Sequence, residues 1–110
     1  MAFERLARVE EVPAGESRLF LAAGDVPVVI VNSGGRLHAL SGLCPHQLFA
    51  LEGAFLDCQV LVCPHHNYGF DISTGENTYP GGREGLATYP VEIRDREVWV
   101  DIISPGGVYG

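Results

Sequence analysis

Lysine is absent from this 110-residue chain. Its seven basic side chains are all arginine, scattered along the sequence and set against fourteen acidic ones, for a formal charge of −7. Without a basic cluster there is nothing to neutralise a phosphate backbone, so nucleic acid is excluded as a partner. The acidity fits two uses, solubility and steering towards a positively charged protein surface. Long apolar runs are missing too: none approaches the ~20 residues of a membrane span, so no membrane role is expected. The start, Met1-Ala2-Phe3-Glu4-Arg5, lacks the basic stretch and apolar segment of a secretory signal, which makes the cytoplasm the expected location. Cysteine is scarce and odd in number, at Cys44, Cys58 and Cys63. Such a set argues against a disulfide framework and for a metal or redox site in a reducing compartment.

Helical periodicity is the last absence, since no window of ~11 residues or more carries an apolar stripe of period 3.6. What the chain has instead is glycine and proline, 14 and 7 residues, which favour turns and short strands. Apolar–polar alternation marks strands at 17–22, 27–32, 37–40, 60–62, 69–72, 91–94 and 97–101. Ala23-Gly24-Asp25, Ser33-Gly34-Gly35 and Asp95-Arg96 supply turns between them. The length fits one all-β domain over 1–103, followed by a loose Gly-rich tail at 104–110. On such a scaffold function belongs in the long connections, here 41–51 and 64–68.

Those connections hold Cys44-Pro45-His46 and Cys63-Pro64-His65-His66, which account for three of the four histidines and two of the three cysteines. Sixteen residues separate His46 from Cys63, enough for a hairpin that brings the chain back to the same place. Gly53-Ala54 and Asp57-Cys58 would turn it. Each loop then offers a soft thiolate and a borderline imidazole to one metal centre. A zinc finger groups its cysteines and then its histidines on a helix, whereas here the two types alternate as C-x-H and C-x-x-H. A structural zinc site nonetheless stands as the alternative for these residues.

The alternating order resembles the Rieske family, whose [2Fe-2S] cluster takes two cysteines on one iron and two histidines on the other. The likeness continues through Leu51-Glu52-Gly53, Phe70-Asp71-Ile72-Ser73-Thr74-Gly75 and Tyr89-Pro90-Val91, so that about 25–101 fits the pattern. It implies a Rieske-type fold of stacked antiparallel sheets with a small cluster-binding subdomain of two loops, about 41–82. It implies one [2Fe-2S] cluster with Cys44 and Cys63 on the inner iron and His46 and His66 on the outer. His65 repeats the spacing of the first loop and competes for the role, but the family's second motif, C-x-x-H, selects His66.

Departures from the family are informative. Phe49 and His65 stand where respiratory relatives carry a disulfide, and Tyr68 and Phe70 stand where they carry a Ser and a Tyr that bond the cluster sulfurs. Fewer such bonds imply a potential at the low end of the family range. Cys58 falls off the ligand pattern as a free thiol, and His38 reads as structural. Leu48, Phe49, Ala50 and Leu51 offer an uncharged docking rim, with Leu48 and Leu51 also readable as core. Pro80-Gly81-Gly82 aligns with a loop that covers the cluster in relatives.

The resemblance implies a one-electron carrier rather than an enzyme, since no residues remain for a dioxygen-activating iron. Its partners would be a flavin-containing reductase and a terminal oxygenase hydroxylase, and the protein would be monomeric when free. Cys44-Pro45-His46-Gln47 followed by Leu51-Glu52-Gly53 looks most like the ferredoxins of soluble di-iron monooxygenases acting on toluene and alkenes. Asn67-Tyr68 fits that group less well, and the ferredoxin of an aromatic ring-hydroxylating dioxygenase is the alternative. A small reductase subunit is a further one, disfavoured by the intact ligand set.

Overall fold

The computed structural model of the chain describes residues 2–43, 50–64 and 67–103. Among them run eleven strands, β1 (Glu4–Arg8), β2 (Ser17–Ala22), β3 (Val26–Ser33), β4 (Arg36–Ser41), β5 (Phe55–Asp57), β6 (Val60–Val62), β7 (Gly69–Asp71), β8 (Asn77–Tyr79), β9 (Thr88–Tyr89), β10 (Val91–Arg94) and β11 (Glu97–Val100). They form three sheets, ordered β1-β11-β10, β2-β3-β4-β9 and β5-β6-β7-β8. Every strand pairing in them is antiparallel.

The middle sheet explains the most apolar stretch of the sequence. Val28, Val29, Ile30 and Val31 of β3 are all buried, because both faces of this sheet are covered. Val28, Ile30 and Ala39 pack with Ala7, Val98 and Val100 of the outer sheet. Val29, Val31 and Leu40 point the other way, into a core with Leu51, Leu61, Cys63, Phe70 and Ile72. A period of two along β3 and β4 thus feeds two cores at once.

Turn chemistry sets the register. Gly34 and Gly35 both take positive φ, 61° and 96°, and close the β3–β4 hairpin at the Ser33–Arg36 pair. Asp95 and Arg96 do the same between β10 and β11, with φ of 50° and 63°. At Pro90 the chain leaves the middle sheet for the outer one, where a residue without an N–H costs no ladder bond.

The expected strands are all present, and the all-β layout agrees with the family expectation. β1, β5, β8 and β9 were not expected from the pattern. One turn is shifted: Asp57 is the last residue of β5, paired with Val60, and the turn is Cys58-Gln59. The 104–110 tail lies outside the described residues.

Candidate metal centre

The first loop is pinched at its root. The Leu51 N–H donates to the Gly42 carbonyl at 2.8 Å, and Leu43 and Ala50 form an antiparallel bridge. Gly42 itself donates to the Pro27 carbonyl at 2.8 Å. A Cβ at Gly42 would lie 2.7 Å from Leu19 Cδ1 and 2.8 Å from the Pro27 carbonyl carbon, so only glycine permits this approach. The six residues between, with Cys44 and His46, lie outside the described residues, as do Leu48 and Phe49. Leu51 is 2% exposed and belongs to the core, which removes it from the docking rim; Ala50 is exposed.

The second loop springs from β6. Cys63 follows that strand, is 2% exposed, and donates its N–H to the Tyr68 carbonyl at 2.8 Å. That bond closes the loop, and Asn67 completes it in the left-handed region at φ 56°. His65 and His66 lie outside the described residues. The roots of the two loops meet, since a Cβ on Gly53 would stand 3.8 Å from Pro64 Cγ. The expected return of the chain to one place is therefore made by β5 and β6.

Other singled-out residues find distinct places. His38 is half-buried on β4 opposite Val31, near the end of the strand remote from the first loop. Burial pushes its imidazole pKa below the usual 6.5, Arg36 adds to the effect and Asp71 opposes it. Cys58 is a free, exposed thiol at φ 56°, at the opposite end of β6 from Cys63. Phe70 is fully buried and brings no hydroxyl. Tyr68 packs against the core beside Phe70.

Sequence reasoning missed the neighbours of the second loop. The Arg83 guanidinium lies 5.8 Å from the Tyr68 ring centroid. Asn77, 4% exposed, accepts the Gly81 N–H at 2.8 Å and so ties down the Pro80-Gly81-Gly82 segment. A lone Arg and a lone Asn carry no motif, and only the pairing of β7 with β8 brings them here.

Among the described residues no three His, Cys, Asp or Glu side chains gather as a metal site, Cys63 being the one candidate ligand within them. The donor chemistry fits an iron–sulfur group: a soft sulfur held in an apolar core, beside the joined roots of two loops that each carry a Cys and a His.

Comparison with known proteins agrees with this chemistry. Residues 3–90 match the Rieske [2Fe-2S] domain. The biphenyl dioxygenase ferredoxin subunit of Pseudomonas sp. (strain KKS102) is 36% identical over 102 residues, 92% of this chain and 93% of that protein. The ferredoxin component of the alkene monooxygenase system of Xanthobacter autotrophicus (strain ATCC BAA-1158 / Py2) is 31% identical, covering 84% of this chain and 75% of that one. The Sphingomonas yanoikuyae B1 ferredoxin structure superposes with a TM-score of 0.83 at 29% identity, covering 91% of this chain and 98% of the other.

Proposed function

The chain belongs to the Rieske [2Fe-2S] domain family, and from that premise we propose that it is a one-electron carrier of an oxygenase system, the ferredoxin of an aromatic ring-hydroxylating dioxygenase. It is not itself an enzyme. The observation that carries the reading is near-full-length likeness to the biphenyl dioxygenase ferredoxin in a chain that keeps both Cys/His loops. This reverses the preference drawn from the first loop, which favoured a di-iron monooxygenase system. The monooxygenase reading stays as the second, supported by 31% identity to the alkene monooxygenase ferredoxin.

In this reading Cys44, His46, Cys63 and His66 hold one [2Fe-2S] cluster, which supplies reversible one-electron chemistry when bound. The protein's own contribution is to place and shield it. Cys63 brings its sulfur from the buried side, supported by Leu61 and Phe70. The Cys63–Tyr68 backbone bond fixes the span of the second loop, and the Leu43–Ala50 bridge fixes that of the first. Phe70 offers no hydroxyl to a cluster sulfur, which favours a low potential. A flavin-containing reductase supplies the electrons, and the carrier works as a cytoplasmic monomer.

Three measurements test this. The purified protein should show the visible bands of a mixed Cys/His cluster and, once reduced, an electron paramagnetic resonance signal of lowered average g; a colourless zinc protein would overturn the reading. Substituting His66→Ala should abolish those signals while His65→Ala keeps them, and the reverse result would exchange the two ligands. Coupling to dioxygenase and to monooxygenase component pairs then separates the two systems.

A further inference from the structure

An asparagine ends an otherwise apolar row in the sheet β5-β6-β7-β8. Leu61 of β6 stands opposite Phe70 of β7, and Phe70 stands opposite Asn77 of β8, so the three share one face. Leu61 and Phe70 are fully buried in the core, and Asn77 is 4% exposed. The Gly81 N–H needs an acceptor, which puts the Asn77 Oδ1 there, at 2.8 Å. Asn77 Nδ2 is left buried with no hydrogen-bond partner. A buried donor without a partner costs stability, and a leucine of similar shape would fill the place without that cost. What leucine could not do is accept from Gly81.

That bond governs a segment lying against the end of the second loop. Thr78 is an extra residue in β8, a bulge between the Gly69–Tyr79 and Phe70–Asn77 pairs. A Cβ on Gly69 would lie 3.1 Å from Thr78 Oγ1 and 3.6 Å from Tyr79 Cβ, so β8 presses closely on the chain there. Four residues after Tyr79, the Arg83 side chain packs over the Tyr68 ring. Tyr68 and Gly69 are where the second loop re-enters the sheet, and the Tyr68 carbonyl takes the Cys63 N–H. Between the two contacts run Pro80, which has no N–H, and Gly81 and Gly82, with φ of 87° and 71°. Glycines are the most freely deformable part of a chain, so the Asn77 bond at Gly81 restrains the course of this stretch.

We propose that Asn77 is a positioning residue for the metal centre: through Gly81 it holds residues 79–83 against the base of the second Cys/His loop, and so limits the access of water and of chelators to the cluster. The inference rests on the cluster reading and adds to it a residue outside both loops. Stability is given up at Nδ2 and position is gained at Oδ1. The two effects belong to different atoms of one side chain, so suitable variants separate them.

The test uses the cluster-loaded protein with Asn77→Leu, which removes the acceptor and the orphaned donor together, and Asn77→Asp, which keeps an accepting oxygen but buries charge. Asn77→Leu should melt at or above the wild-type temperature. Its Gly81 amide should nonetheless exchange hydrogen about tenfold faster, read by peptide mass spectrometry. Bleaching of the visible bands by excess EDTA should run about three- to tenfold faster than in the wild type. The reduced cluster carries one more negative charge than the oxidised one, so easier access of water should also raise the potential of Asn77→Leu. Asn77→Asp should do the opposite: a lower melting temperature, with Gly81 exchange and bleaching within about twofold of wild type.

Wild-type exchange at Gly81 in Asn77→Leu would overturn the proposal, as would faster exchange with bleaching and potential unchanged. So would an Asn77→Leu protein whose melting temperature falls along with its resistance to EDTA, since the side chain would then serve stability alone. Where Asn77→Asp does not fold, Asn77→Leu decides by itself. A wild-type protein that takes up no iron–sulfur cluster counts instead against the carrier reading, and hydrogen exchange at Gly81 still decides whether Asn77 holds the segment.

Discussion

His38 shows that residue type alone does not assign a role, and its reading as structural agrees with its place in the fold. It shares its side-chain chemistry with the proposed ligands His46 and His66, yet it sits at the far end of β4 with its imidazole held below the usual pKa by burial. The folded protein therefore favours the neutral ring, while the unfolded chain binds the proton near about pH 6.5. Stability linked to His38 is complete above that value and is lost as pH falls from it towards the lower folded-state pKa. Between about pH 7.5 and pH 5 the denaturant midpoint should thus drop further for the wild type than for His38→Gln, with the difference between the two proteins isolating this ring from the other histidines. An equal drop in both would assign the acid sensitivity elsewhere.

At the scale of elements, backbone crowding adds to the apolar core in holding the cluster-side sheet in place. The Gly75 N–H donates to the Asp71 carbonyl at 2.7 Å, and its own carbonyl accepts from Leu86 at 2.7 Å. Its φ is 78°, and a Cβ there would overlap the Leu86 carbonyl oxygen. A strained φ and a backbone clash act together, and Gly75→Ala should cost more than about 3 kcal/mol. The measurement is a thermal melt of the loaded protein alongside its iron content, and a variant with wild-type melting would contradict the account. By contrast, Ser17 Oγ reaches the Ala54 carbonyl at 2.6 Å and ties β2 to the start of β5 by a part-buried bond. Loss of one such bond is a smaller matter, about 1 kcal/mol.

For the whole molecule, the shared middle sheet makes the two cores interdependent. β3 and β4 give one face to the outer sheet and the other to the layer that holds Cys63. Neither core survives the loss of these strands. The single tryptophan, Trp99, reports on the outer sheet, while bleaching of the cluster absorbance reports on the other layer. In denaturant the two signals should therefore fall together, in one transition. Separate midpoints would show that the cluster layer comes apart on its own.

Much of this was legible beforehand. β2, β3, β4, β6, β7, β10 and β11 each carry an alternating or fully apolar pattern bounded by turn residues. β8 (Asn77–Tyr79) and β9 (Thr88–Tyr89) are short and lack the aliphatic or Phe residues that mark β6 and β7, and β1 carries charge at both ends. They exist because neighbouring strands offer an open edge. The candidate ligands were legible for a different reason: metal chemistry demands particular residue types at fixed short spacings, and such spacings survive in the linear sequence.

The family, the all-β class and the two Cys/His loops were determined by the sequence alone, because each depends on local pattern. Tertiary structure decided that Leu51 is core, that Cys58 and Cys63 occupy opposite ends of one strand, and that Arg83 lies over Tyr68. Those facts depend on which distant segments share a sheet or a core. Burial and proximity belong to the assembled layers, and no stretch of this chain encodes them by itself.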